Sequence, residues 1–146
     1  MSDQTFQHAA TTKTSVADVW SALDNPETWE AIPGVDRVID PIIDPSGRLK
    51  GFSFESVVVG KRYLGQAVPA GREDERLMAW DIRTSEVEGR ITVGLSPADT
   101  GTRVFVDLRV RGIGMLGSVF FPVIASAIGS GFTSTVEDFV GVLDKV

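Results

Sequence analysis

Short glycine spacings give the chain its most suggestive chemical motif. Gly112–Gly117 reads GIGMLG, which has the spacing of a loop that binds the pyrophosphate of a dinucleotide. Such a site also needs a second parallel strand whose end carries an acidic residue for the ribose. Here the acidic candidates Glu137 and Asp138 fall within the predicted last helix, and no strand follows. We therefore predict no nicotinamide or flavin dinucleotide site, and we interpret the glycines as a tight turn with close helix packing.

Side chains for acid–base chemistry are present, but their spacing assembles no catalytic group. The chain has no cysteine and a single histidine, His8, which excludes thiolate catalysis and cysteine or histidine-rich metal sites. By strand alternation Glu55 and Asp81 fall opposite apolar rows, so we interpret them as solvated charges or cross-strand partners. No nucleophile–base pair or triad emerges, and we expect neither a cofactor nor a metal. The acid–base candidates in the predicted strands are Tyr63, Glu55, Asp81, Arg62 and Arg83.

Composition bounds the class of protein. The 146 residues are 42% hydrophobic and 23% charged, which predicts one folded domain over residues 1–146. The net charge of −6 argues against a nucleic-acid partner, because phosphates demand a basic surface. The N-terminal residues lack a signal-peptide pattern, and no uninterrupted apolar stretch reaches the roughly 20 residues of a membrane span. We expect a cytoplasmic protein, and the oligomeric state stays open.

Periodicity predicts seven strands, two short helices after the first strand, and one long helix at the end. Ser15 is placed to cap the first short helix, and Pro26 occupies the first position of the second, which Pro33-Gly34 closes. Short turns between the strands favour antiparallel hairpins. The predicted strands are 6–12, 35–43, 49–59, 62–68, 77–84, 87–95 and 102–111, and the long helix spans 115–143, with a kink expected at Pro122.

Alternation along the last strand decides which face of the sheet is buried. Val104, Val106 and Leu108 point to one side, whereas Arg103 and Asp107 point to the other. Extending this parity to the other strands predicts three further inward rows. These rows are Phe52, Phe54 and Ser56; Leu64, Gln66 and Val68; and Met78, Trp80 and Ile82.

The last helix has two unlike halves. Residues 132–143 repeat apolar side chains at helical spacing, which predicts a face packed on the sheet. Residues 115–128 carry no charge and are apolar around most of the circumference. One side of this half must cover the sheet. The other is interpreted as meeting a ligand, a membrane surface or a second subunit, or as lying buried under the short helices and a loop.

Several strings, in this order, carry a family resemblance. They are the spacing from Phe6 through Thr12 to Val19-Trp20, the run DNPETW at 24–29, IPGV at 32–35, GTRV at 101–104, and the glycine-rich entry to the final helix. Over nearly its whole length the chain resembles the START-like (SRPBCC) superfamily, also known for the birch-pollen-allergen fold, whose bacterial members are labelled polyketide cyclase/dehydrase or lipid-transport proteins. The resemblance implies an α+β helix-grip fold, in which a curved seven-stranded antiparallel sheet wraps around a long C-terminal helix and encloses an apolar ligand cavity. It transfers no catalytic residue.

These patterns predict a binding or transport protein for an apolar small molecule such as a lipid, polyketide or isoprenoid quinone. One alternative is a polyketide cyclase or dehydratase that uses the same cavity. Another is a protein-interaction module like the ribosome-associated toxins or chaperone activators of the superfamily. Peripheral membrane contact stays open. His8 either points into the cavity or is hydrogen-bonded or solvated at the sheet edge. The predicted cavity residues are His8, Phe52, Phe54, Gln66, Trp80, Val106, Phe120 and Ile124.

Overall fold

A single antiparallel sheet and one long helix form the two layers of the molecule. A computed structural model describes residues 3–31 and 35–146. The sheet has seven strands in the order β1-β7-β6-β5-β4-β3-β2. Its elements are β1 (Gln4–Thr12), α1 (Val16–Ala22), α2 (Pro26–Glu30), β2 (Val35–Ile43), β3 (Leu49–Val58), β4 (Lys61–Glu73), β5 (Leu77–Arg83), β6 (Val87–Ala98), β7 (Gly101–Gly112) and α3 (Gly114–Leu143). The predicted fold class is confirmed.

The two short helices begin where the sequence predicts. The Asp18 amide donates to Ser15 Oγ at 3.2 Å, and the Glu27 amide donates to Asn25 Oδ1 at 3.0 Å, with Pro26 at the first helical position. The predicted end of α2 at Pro33-Gly34 lies outside the described residues.

An ion pair fastens the corner between α1 and α2 to the sheet. The Asp24 carboxylate accepts the Leu49 amide at 3.1 Å and pairs through both oxygens with the Arg72 guanidinium, which lies 5.2 Å from the Trp20 ring. The short helices are thereby held against the ends of β3 and β4, close to the β2–β3 and β4–β5 turns.

β4 and β6 run further than predicted. β4 continues through Pro69 because a bulge between Pro69 and Gly71 accommodates a residue that cannot donate to the ladder. β6 continues through Pro97, which faces Thr102 beside the turn into β7.

The two halves of α3 differ in burial. The apolar face of the C-terminal half is buried, and Thr14 Oγ1 donates to the Leu143 carbonyl at 2.6 Å, which fixes the end of the helix to β1 and the loop after it. The helix continues unbroken past Pro122.

By length and composition alone α3 suffices to cross a membrane, yet in this fold it is the core helix. In its most apolar 18-residue window 22% of the residues are buried, which leaves an apolar surface bare.

The glycine motif serves close packing. Gly114 has φ +71°, a backbone conformation that favours glycine. A Cβ on Gly117 would lie 2.2 Å from the Glu86 carbonyl oxygen, and the Ile113 amide donates to that same oxygen at 2.8 Å. These contacts confirm the interpretation of the glycines as a tight turn with close helix packing.

Candidate ligand cavity

A cavity of about 420 Å³ lies between the concave face of the sheet and the second half of α3. Its polar side-chain groups are the Ser56 and Thr135 hydroxyls and the N–H groups of two indoles. Among the described residues no charged side chain lines it. The lining comprises Trp29, Val35, Phe52, Phe54, Ser56, Val57, Val58, Val59, Ala67, Trp80, Ile82, Ile91, Val93, Val106, Leu108, Ala127, Ile128, Gly131, Phe132, Thr135, Val136 and Phe139.

A cluster of aromatic rings forms one wall of the cavity. Trp29 stacks on Phe139 with ring centroids 5.7 Å apart and meets Trp80 edge-on at 6.0 Å. Phe52 packs 5.5 Å from Trp80 and 6.3 Å from Phe54. These rings come from α2, β3, β5 and α3, so every layer of the fold contributes to one rigid apolar wall.

Four of the predicted cavity residues lie in its wall. Phe52, Phe54, Trp80 and Val106 all line it, and the inward parity predicted for β3, β5 and β7 places them there. Their contact with a ligand remains a prediction.

The predicted inward position of Gln66 is wrong. Tyr63, Gly65 and Ala67 are the inward residues of β4, whereas Leu64, Gln66 and Val68 are exposed on the outer face. The cause is the neighbouring strand. Gly65 lies directly opposite Phe54, and a Cβ on Gly65 would lie 2.4 Å from the tip of that ring. The aromatic rings of β3 fill the space in front of β4, so the inner face of β4 takes small residues.

Gln66 instead borders a shallow groove of about 540 Å³ on the outer face of the sheet. The groove is lined by charged side chains that pair with one another. Asp81 binds Arg90 at 2.8 Å, and Glu88 binds both Arg83 and Arg111. These ion pairs confirm the interpretation of Asp81 as a cross-strand partner, and Glu55 likewise pairs across strands with Arg37 and Arg62.

The predicted cavity positions of His8, Phe120 and Ile124 are also wrong. His8 lies on the edge strand β1, where its Nε2 is 3.2 Å from Glu137 Oε2, which matches the edge interpretation. Ile124 is buried under the sheet outside the cavity lining, and Phe120 is 47% exposed. The helix meets the cavity one to four turns later, between Ala127 and Phe139, because the earlier turns pack closely on Glu86 and Gly112.

A buried acid–base cluster escaped the sequence analysis. The Glu86 carboxylate accepts a hydrogen bond from the Tyr63 hydroxyl at 2.7 Å and pairs with the Lys61 ammonium. Glu86 is 4% exposed and sits in the turn between β5 and β6, where strand parity does not apply. Hydrogen bonds from Lys61 and then Tyr63 lower the pKa of Glu86 below its ordinary value. The backbone carbonyl of Glu86 also accepts a hydrogen bond from the Ile113 amide at the start of α3, so the cluster stabilises that end of the helix. The cluster lies outside the cavity lining.

The chain's only tyrosine gives this cluster an optical signal. Burial, followed by the hydrogen bond to Glu86 and the charge of that carboxylate, raises the pKa of Tyr63 to about 12. We expect tyrosinate absorbance to appear about two pH units above a free tyrosine. The neutral phenol therefore contributes stability that is complete below pH 10 and is lost as the pH rises toward 12.

A Glu86→Gln variant is the matched control for this titration. It removes the charge but keeps the shape, so the pKa of Tyr63 should fall while staying above that of a free tyrosine, because burial remains. A wild-type transition at the ordinary tyrosine pKa would contradict the buried pair.

The seven-stranded antiparallel sheet, the long C-terminal helix and the two short helices define a START-like protein with the helix-grip fold. The sequence agrees, since the profile of the family described as polyketide cyclase / dehydrase and lipid transport matches residues 3–144. The chain belongs to this family. A comparison with curated proteins finds no match.

Solved structures share the fold at low sequence identity. The Zhui aromatase/cyclase from Streptomyces sp. R1128 superposes with a TM-score of 0.79 at 10% identity, covering 99% of this chain and 95% of that one. A START superfamily protein from Mycobacterium smegmatis gives 0.71 at 12% identity, with 97% and 94% covered. Ara h 8.0201 gives 0.65 at 14% identity, with 99% and 100% covered. At such identities the likeness extends to the fold alone.

Proposed function

We propose that the protein binds and carries one uncharged, predominantly apolar small molecule of the lipid, polyketide or quinone class. The observation that carries this proposal is a 420 Å³ cavity walled by aromatic and aliphatic side chains, with no charged group among its described lining residues. Such a cavity suits an apolar ligand, because a buried charge without a partner would cost far more than the apolar contacts return.

The alternatives fit this cavity less well. A cyclase or dehydratase needs a positioned acid or base within hydrogen-bond reach of its substrate. In the described part of the chain the buried acid–base cluster of Lys61, Tyr63 and Glu86 lies outside the cavity wall and braces α3 instead. An interaction module needs no internal space. Binding and transport is therefore the function that the geometry favours.

The surface of α3 supplies a route for an apolar ligand. The exposed side chains of Leu116, Phe120 and Val123 form a ridge at helical spacing, and the same line continues to Ala127 and Gly131 in the cavity lining. We call Leu116, Phe120 and Val123 the α3 ridge. No charged residue occurs between Gly112 and Val136. A bilayer surface matches this uncharged ridge and is also the natural source of an apolar ligand.

A titration with an uncharged fluorescent probe, N-phenyl-1-naphthylamine, tests the cavity. We expect saturable one-to-one binding with energy transfer from Trp29 and Trp80, competed by methyl oleate or a short-chain ubiquinone. Val106→Trp should fill the space and weaken binding, with a stability loss of roughly 1–3 kcal/mol. Absent binding, together with severe destabilisation by Val106→Trp, would indicate a solid core and favour the interaction module.

A further inference from the structure

Thr135 is the polar residue that the middle of α3 contributes to the cavity wall. It lies one helical turn after Gly131 and two turns after Ala127, so the three residues form one row along the helix, and all three line the cavity. The space in front of this row is open, because a Cβ built on Gly131 meets no atom within 4 Å. A ligand in the cavity would therefore lie against this row.

The hydroxyl of Thr135 has no hydrogen-bond partner in the described part of the chain. A threonine or serine hydroxyl inside a helix commonly bonds to a backbone carbonyl one turn back. Ser130 on the same helix does so, since its Oγ donates to the Ala127 carbonyl at 3.1 Å. Thr135 makes no such bond, although it is partly buried. Its hydroxyl is therefore available to a bound molecule.

Accessibility separates this hydroxyl from the indole N–H of Trp80. Trp80 Nε1 also lacks a partner, but it is fully buried behind the surface of the wall, where no ligand atom reaches it. It is the only buried side-chain polar atom without a partner among the described residues, so the unpaired Thr135 hydroxyl retains accessible surface. A lone water is a poor partner for this hydroxyl, because an enclosed water needs about two to four polar partners and the wall is predominantly apolar.

We propose that the ligand carries an uncharged oxygen that accepts a hydrogen bond from the Thr135 hydroxyl. This inference rests on the proposed binding function and narrows it to ketones, quinones, esters or alcohols with an apolar body. A pure hydrocarbon would cover the hydroxyl and leave it unpaired, which is unfavourable. A carboxylate at the same place would lack a cation, because no described lining residue carries charge. Thr135 thus determines which apolar molecules are preferred, and the remaining wall supplies affinity.

Benzophenone and diphenylmethane form a matched pair of probes that differ in one carbonyl oxygen. Displacement of N-phenyl-1-naphthylamine from wild type and Thr135→Val by each probe gives a cycle in which the probes' different solubilities cancel. Thr135→Val keeps the branched shape of the side chain and removes the hydroxyl. We expect the affinity ratio of benzophenone to diphenylmethane to fall roughly 3- to 10-fold in this variant, the range expected for one hydrogen bond.

Two further variants separate the hydroxyl from its surroundings. Thr135→Ser keeps the hydroxyl and should keep the wild-type ratio, even if the lost methyl group weakens both probes. Thr133→Val is the matched control, because Thr133 lies on the same helix but is exposed and outside the cavity lining. If both probes bind the wild type and Thr135→Val leaves the ratio unchanged, the oxygen inference is overturned and the binding function stands. If neither probe binds the wild type, the binding function itself fails, and the inference fails with it.

The infrared band of the bound probe reports the hydrogen bond directly. The carbonyl stretch of benzophenone bound to the wild type should lie at lower wavenumber than in a hydrocarbon solvent, because a donated hydrogen bond weakens the C=O bond. The shift should persist in Thr135→Ser and disappear in Thr135→Val. An unshifted band in the wild type, or an equal shift in Thr135→Val, would overturn the proposal, and the wild-type measurement does not depend on the folding of a variant.

Discussion

Gly131→Leu is expected to weaken binding of an apolar ligand about tenfold or more while leaving the protein at least as stable as the wild type. Gly131 lines the cavity from the middle of α3, and a Cβ built there meets nothing within 4 Å. A leucine side chain would therefore project into the ligand's space, and clashes of this size cost about 1–3 kcal/mol, or roughly 5- to 150-fold in affinity. Replacing a mid-helix glycine gains about 0.5–1 kcal/mol in helix propensity.

Gly141→Leu is the matched control. Gly141 lies ten positions further along the same helix, also has open space around its Cβ, and is not among the cavity-lining residues. It should share the gain in stability and leave ligand affinity unchanged. Thermal unfolding and titration with the uncharged naphthylamine probe measure both quantities. Equal affinities for wild type and Gly131→Leu would show that the ligand does not occupy this cavity.

The overall fold can be predicted from the sequence because most strands have one solvent-exposed face and one buried face. β7 shows this best, since arginines and an aspartate alternate with buried Val104 and Val106. That contrast sets the parity, and antiparallel pairing carries it through β6 to Trp80 in β5. The part of the cavity wall from β5 and β7 follows from this argument, whereas Phe52 and Phe54 are predicted from the apolar row of β3 itself.

Strand alternation predicts the wrong inward face for β4, because the larger and more apolar side chains lie on the exposed face. Leu64 and Val68 are larger and more apolar than Gly65 and Ala67, so the pattern favours the wrong face. The correct face depends on the Phe54 ring, which lies over Gly65 from the adjacent strand. The pairing of a small residue with an aromatic residue on the neighbouring strand depends on both strands, so the residue pattern of one strand alone does not predict it.

Two features of the site depend on geometry outside any periodic element. Glu86 lies in a turn, so its burial against Tyr63 follows from how the hairpins meet α3. The unpaired Trp80 Nε1 depends on the orientation of a single ring among its aromatic neighbours. The sequence correctly indicates that one half of α3 is uncharged. Which side of that half is buried depends on which helical turns pack on Gly112 and Glu86.

The α3 ridge is expected to hold the protein on lipid vesicles. Leu116 is 58% exposed and Phe120 is 47% exposed, and full burial of each side chain is worth about 1.5–3 kcal/mol. Replacing both with glutamate should therefore weaken the affinity for vesicles about 100-fold or more. Because the protein carries a net charge of −6, we expect binding to neutral phosphatidylcholine vesicles with little dependence on salt and no preference for anionic lipid.

Flotation with vesicles measures this binding, and Leu64→Glu is the control. Leu64 is 66% exposed on the outer face of β4, so its change replaces an exposed apolar side chain with one glutamate away from the ridge and should leave flotation intact. Binding of the naphthylamine probe in solution should survive the Leu116→Glu and Phe120→Glu double change, because neither residue lines the cavity. If the wild type fails to float and instead forms a dimer that the double change dissociates, a second copy of the chain covers the ridge. Ligand entry would then require that dimer to open, since the ridge leads directly to Ala127 and Gly131 in the cavity lining.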